Sequence, residues 1–470
     1  MTASVVTPRF FRLFFSLKRR EKKGFQQFLG SPYHNRREDA GFLVNLLSTY
    51  NSHEEVPEKS SLWAQVFGPE CGFNDQSWRL LLSYLTKQLE RFLAVEALLA
   101  DEFDVKMKVA SVLEGRSSNQ LQEKLLKESA KLLERDEVRN AEYWLKAFQY
   151  QESYYRQAFS RQPEKDDQFS LLSASADRAF LSFKLRQLMW LLNHEQVYQW
   201  GYEPTLFDRF ILSLSEDDIE AIPALRLYFY GIQVLQNPDS EEAFQRFSES
   251  LFNEASHLPV SEARDLYLLA INFGVRRVNS GQRAYFERVM ELYRSGLENA
   301  YLLRKGRLSR FTYHNIVSTA LQVNDIAYAE AFIEQWTEKL ERRYRDRMYN
   351  FNRAKIAYAS KRYADALPLL QQANYHDPLL NLGARTLLLK IYYELGEREV
   401  LQSHLDAFSS YLRRKPGISY HRVNYRNLIR FTRQLLKIDF TSSERQAKFR
   451  HQILAETTLT EKEWLLRQLS

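Results

Sequence analysis

The chain has 470 residues, 44% hydrophobic and 27% charged, which supports a folded core and suits long helices with one wet face. Its one cysteine, Cys71, excludes an intrachain disulfide and any Cys-based zinc site, and no apolar run approaches the ~18 residues of a membrane span. The net charge of +7 is concentrated: Pro8–Arg37 carries nine Lys/Arg against one acid and Ser403–Ile438 eight against Asp406, so local basic patches are expected and not a generally cationic protein.

Thr7-Pro8 predicts a helix start, and Phe10, Leu13, Phe14 and Leu17 then share one helical face. That face reads either as an interfacial membrane anchor or as a first helix packed on the next, Lys18–Leu29; its shortness favours packing. Arg9 and Arg12 interrupt the apolar part, so a secretory signal is not expected and the cytoplasm is the expected location. Asn35 is expected to cap a helix over Arg36–Tyr50, and Leu62–Phe67 to form a short one. Asn74-Asp75 caps a long apolar run that extends to Leu113, with a break at Gly115–Asn119. Helices over about Gln120–Arg135 and Glu137–Arg161 follow, and Gln162–Asp167 (QPEKDD) reads as a linker. Residues 1–161 are therefore expected to form an N-terminal helical region and 169–470 a second region of shorter helices.

Helices are next expected over about Ala174–Trp200, Leu206–Ser213, Asp217–Gln236 and Ser240–Ser256. Ser261–Val278 and Gln282–Leu303 form a hairpin around Asn279-Ser280-Gly281. The clearest periodicity covers about 308–415. Its centre, RMYNFNRAKIAYASKRYADALPLLQQANYHDP, predicts a helix over Tyr349–Ser360, a turn at Lys361-Arg362 and a helix over Tyr363–Tyr375. Ala354 and Ala366 face each other there, and small side chains allow a close helix crossing. Ala329 stands 37 residues before Ala366 and Leu401 stands 35 after it, so the pattern recurs three times. A further helix spans Tyr420–Ile438 after the Lys415-Pro416-Gly417 turn, then Ser443–Glu456 and Thr460–Leu469, with a Thr-x-x-Glu capping box before the last. No segment alternates as a strand would.

From Ala354 onward, with Tyr363, Ala366, Ala373 and Asp377-Pro378 at the family's spacing, the chain resembles a tetratricopeptide repeat (TPR), a helix-turn-helix unit of about 34 residues. The segments FLGSPYHN and LLKIYYELGEREVLQSHLDAF make the whole layout similar to uncharacterised bacterial proteins with TPR-like helices. The resemblance implies an all-α fold: an α-α superhelix, or TPR-like solenoid, with a less regular helical N-terminal half.

Chemistry is sparse. No Gly-rich phosphate loop, dinucleotide fingerprint, Gly-x-Ser-x-Gly elbow or His-Glu-x-x-His helix is present, and the nine histidines are scattered. His194 and Glu195 are adjacent, so on a helix they point about 100° apart and do not form a couple. The expectation is a protein without catalysis, metal or cofactor; a site assembled from distant residues is the enzymatic alternative.

Two binding signals stand out. If the three units align, Asn315 and Asn352 fall at one inward-facing position, Lys355 lies a step further, and Arg385 is near the matching place in the next unit. Asn amides suit a peptide backbone and an arginine suits a carboxylate, so a concave face binding a protein or peptide is the leading expectation. The second is a stripe, Arg422, Arg426, Arg430, Arg433 and Lys437, at steps of four, four, three and four. It reads as a solvated face, as a contact for an acidic protein, or as a nucleic-acid-backbone contact of a regulator.

Overall fold

Helix follows helix through the computed structural model, which describes residues 8–114, 116, 119–159, 167–219, 222–372, 377–414, 419–438 and 440–469. The fold is all-α; the strands among the described residues are the two-residue pair Leu303–Arg304 and Arg307–Leu308. That pair replaces the end of the helix expected to reach Leu303, which stops at Glu298. Lys305 and Gly306 both take positive φ (52° and 73°), closing a two-residue hairpin that helix geometry cannot continue through. The expected starts, breaks and turns at Thr7, Gly115, Gln162–Asp166, Ala373 and Lys415-Pro416-Gly417 lie outside the described residues.

The chain divides into two compact units, Met1–Glu137 with Ala141–Phe180, and Val138–Asn140 with Leu181–Ser470. In the first, the Arg9–Ser16 helix buries Phe10 and Phe14 completely, against the Asp75–Leu99 helix and not chiefly against its neighbour in sequence. Each such phenylalanine contributes about 1.5–3 kcal/mol, so this apolar face is used inside the unit. Phe25 and Phe28 of the Arg19–Gly30 helix meet the Phe92 ring at 5.6 and 5.7 Å. Asn35 does not cap the next helix, which runs Glu38–Leu47. Its amide donates to the Leu29 and Arg37 carbonyls and accepts from Tyr84 Oη at 2.8 Å, pinning the loop instead. The long run after Asn74 is two helices, Asp75–Leu99 and Glu102–Leu113. Asp101 divides them because its carboxylate accepts from the Phe103 and Asp104 amides as an N-cap.

In the second unit, helices pair antiparallel: Val260–Asn279 with Tyr285–Glu298, Arg310–Gln322 with Ile326–Trp336, Arg345–Ala359 with Tyr363–Gln372, and Pro378–Glu394 with Arg398–Arg414. Ala329, Ala354 and Ala366 are fully buried and Leu401 nearly so. The three last pairs close alike. Asn324, Lys361 and Gly396 take positive φ, and the amide one residue on bonds back to Ala320, Ala357 and Tyr392. This left-handed closure satisfies carbonyls that a helix end leaves orphaned. Glycine is required by packing at Gly274, where a Cβ would stand 2.4 Å from Val289 Cγ2. The final helix is shorter than expected, Lys462–Arg467, and no side chain caps it; Glu461 precedes it in a left-handed conformation (φ 57°).

Candidate functional site

Helical spacing puts Ser318, Lys355 and Lys390 at one level of three neighbouring helices, Arg310–Gln322, Arg345–Ala359 and Pro378–Glu394. They stand 37 and 35 residues apart, the same offsets as the buried Ala329, Ala366 and Leu401. Lys355 Nζ donates to Ser318 Oγ at 2.7 Å. Lys390 Nζ donates to Glu461 Oε2 at 2.8 Å and lies 4.8 Å from the Tyr358 ring centroid. Lys355 forms no ion pair among the described residues. Burial pushes its ammonium down to about 8; Glu461 opposes that shift and Lys390 adds to it. Beside it, His314 Nδ1 is 2.9 Å from Asn352 Oδ1. Burial, aided by repulsion from Lys355 and opposed by the Asn352 bond, pushes the imidazole down to about 3, so it is neutral at pH 7.

The residues singled out in the sequence separate here. Asn315 is exposed, whereas Asn352 is fully buried, its Nδ2 donating to the Met348 carbonyl and its Oδ1 facing His314. The two asparagines therefore do not form one row; Asn352 is committed to the core because helix packing turns it inward. Arg385 lies close by on its own helix. Its Nε donates to Asn381 Oδ1 at 2.8 Å and its guanidinium sits 4.6 Å from the Tyr411 ring centroid. Of the group, Asn315 is exposed and bonds to the Tyr293 hydroxyl, and Lys355 is half-buried with no ion pair among the described residues.

The C-terminal segment could not be placed from the sequence. Glu461 reaches Lys390, the buried Trp464 donates Nε1 to Glu394 Oε1 at 2.7 Å, and Glu463 pairs with Arg283 at 3.0 Å. Glu394 also accepts from Tyr358 and Tyr363. The chain's own end thus occupies part of the face on which a peptide was expected.

The cationic stripe is partly consumed. On the Ser419–Leu435 helix, Arg430 pairs with Glu456 at 2.8 Å and Arg433 with Asp406 at 2.5 Å, while Arg426 is exposed and Arg422 half-buried. Lys437 is exposed in the turn just past that helix. His194 stacks with Tyr198 and Trp200, and Glu195 accepts from the Gly201 and Tyr202 amides, so this pair finishes a helix.

Two further polar clusters escaped sequence reasoning because their members are far apart in the chain. Asp208, buried, accepts from Thr205 Oγ1 at 2.6 Å and pairs with Lys184 at 2.5 Å. Burial opposes its charge, but these bonds prevail and hold the carboxyl well below its ordinary range. Glu262 gathers Arg186 and Asn140, each at 3.0 Å, and Tyr228. Both carboxylates are engaged from inside the protein, an arrangement suited to positioning helices. No family model, curated protein or solved structure matches this chain.

Proposed function

We propose that the chain is a non-catalytic scaffold, a TPR-like superhelical array of helical pairs that binds a protein or peptide partner. The reading is supported by the like closures at Asn324, Lys361 and Gly396 and by the small residues buried between paired helices. The observation that carries it is the Ser318–Lys355–Lys390 row, in which Lys355 has no carboxylate partner within ion-pair distance among the described residues. A half-buried ammonium lacking an acid is costly to keep, and a partner's carboxylate offsets that cost. Asn315, exposed on the helix that carries Ser318 and bonded to the Tyr293 hydroxyl, adds a polar amide to that helix's surface. The single cysteine fits a reducing compartment such as the cytoplasm.

The test is affinity capture from nuclease-treated native lysate with the wild type and an Asn315→Ala/Lys355→Met double variant. A discrete protein held by the wild type and lost from the variant supports the reading. Equal capture by both removes this face from consideration, and recovery of nucleic acid alone from an untreated lysate favours the cationic stripe.

A further inference from the structure

A second surface in the same unit carries a stronger charge signature than the lysine row. A cleft of about 910 Å³ opens between the Val260–Asn279 helix, the Leu303–Leu308 hairpin and the Glu341–Tyr344 turn. Five cations line it: Arg264, Arg304, Lys305, Arg307 and Arg310. The acids on its wall are Asp265 and Glu341, and Glu341 is already engaged by Arg343 at 2.9 Å. Arg310 is paired with Asp377 at 2.9 Å and lies 4.5 Å from the Tyr344 ring centroid, so it is oriented but neutralised. Arg304, Lys305 and Arg307 are exposed, and no acid among the described residues pairs with them.

The hairpin holds these three charges together at a cost. Its register sets Arg304 directly opposite Arg307, and like charges at a cross-strand pair repel. The two-residue turn through Lys305 and Gly306 adds a third charge at the tip. The Arg310–Gln322 helix also begins at the cleft, capped by Ser309, and its dipole adds positive potential. An anion would relieve the repulsion. Beside Ser309, Thr312 and Tyr344, the lining has an apolar part formed by Leu268, Leu302, Leu308 and Phe311, the last 58% exposed.

We propose that this cleft binds an acidic peptide segment that carries a leucine or aromatic side chain, with Arg304 and Arg307 gripping its carboxylates and the apolar wall taking the side chain. The volume lies at the upper end for ligand sites and has room for a short extended segment. Asp265 and Glu341 on the wall repel a continuous polyanion, which favours a peptide over a nucleic-acid backbone. The inference rests on the binding-scaffold reading but not on the lysine row.

The experiment is fluorescence anisotropy on the full chain. One probe is a fluorescein-labelled ten-residue peptide with three glutamates, one leucine and one phenylalanine among serines and glycines; the other is a ten-nucleotide oligothymidylate. The proposal expects saturable peptide binding that weakens with salt and falls at least about tenfold in Arg304→Glu/Arg307→Glu. Both arginines are exposed, and circular dichroism establishes that the variant keeps its helices. Lys448→Glu, an exposed residue outside the cleft lining, leaves this binding unchanged, and Lys355→Met separates the cleft from the lysine row. Loss of peptide binding in Lys355→Met but not in the arginine variant overturns the cleft and leaves the scaffold reading standing. Tighter binding of the oligonucleotide, with the same dependence on Arg304 and Arg307, overturns the peptide class. Binding of neither probe overturns the proposal.

Discussion

Lys355→Met is the most informative single substitution because it removes an ammonium that burial disfavours. An ordinary lysine titrates near 10.5, and burial, only partly offset by Glu461, pushes Lys355 down to about 8. That gap corresponds to roughly 3 kcal/mol held against the ammonium. Removing the amine also removes one hydrogen bond to Ser318 Oγ, about 1 kcal/mol, while Ser318 still donates to the His314 carbonyl at 2.8 Å. The variant is therefore expected to be more stable than the wild type by about 2 kcal/mol at pH 7. The sign reverses with pH. Between 8 and 10.5 the unfolded chain holds more protons at this site than the folded one, so the wild type gains stability as pH rises through that window and the variant lacks this gain. Equilibrium urea unfolding of both proteins from pH 7 to 10.5 should show the gap closing; shared tyrosine titrations cancel in the difference. The ¹³Cε resonance that disappears in the variant should titrate near 8. A gap independent of pH, or a resonance titrating with the exposed lysines, would refute the burial argument.

Other consequences follow from the same packing. His314 is pushed down to about 3, so the stability it contributes is present above its unfolded value of 6.5 and is lost as pH falls towards 3. His314→Gln should accordingly lose roughly 2–3 kcal/mol less than the wild type between pH 6.5 and 4.5, read as urea midpoints; identical acid profiles contradict the assignment. Gly274→Ala gains about 1 kcal/mol of helix propensity but drives a Cβ into Val289, where overpacking costs ~1–3 kcal/mol, so thermal unfolding should show a lower Tm. A higher Tm would mean the two helices are not packed this closely. Lys361→Gly should raise stability by about 1 kcal/mol, because its φ of 56° strains any L side chain; denaturant melts that show a loss would refute the left-handed turn.

Much of the helix layout was legible in the sequence. Asn74, Ser240 and Ser442 accept from the first-turn amides of helices the sequence announces, and Pro223 opens another at its first position. Capping was misread where a side chain had a better use. Asn35 serves the Leu29 carbonyl and Tyr84, 49 residues away, and the Thr458–Glu463 stretch gives way to a left-handed Glu461 that reaches Lys390. The Leu303–Leu308 hairpin had a signal, a Lys-Gly turn between short apolar-basic pairs, but two-residue strands are too brief for an alternation to stand out.

By itself the sequence determined that this chain is helical and where most helices lie, because apolar period, caps and turn residues act over a few positions. It also assembled the Arg422–Arg433 part of the basic stripe, since that part lies on one helix, whereas Lys437 falls in the turn beyond it. Only the tertiary structure decided which of those charges stay free. Arg430 and Arg433 are spent on Glu456 and Asp406, Asn352 is sealed in the core while Asn315 stays exposed, and Lys355 has no ion pair among the described residues. Those outcomes depend on partners 26 to 38 residues away, and for Glu463 on one 180 residues away. Side-chain periodicity fixes the face a residue occupies, whereas the groups opposite that face are set by how whole helices stack, and that information is not local.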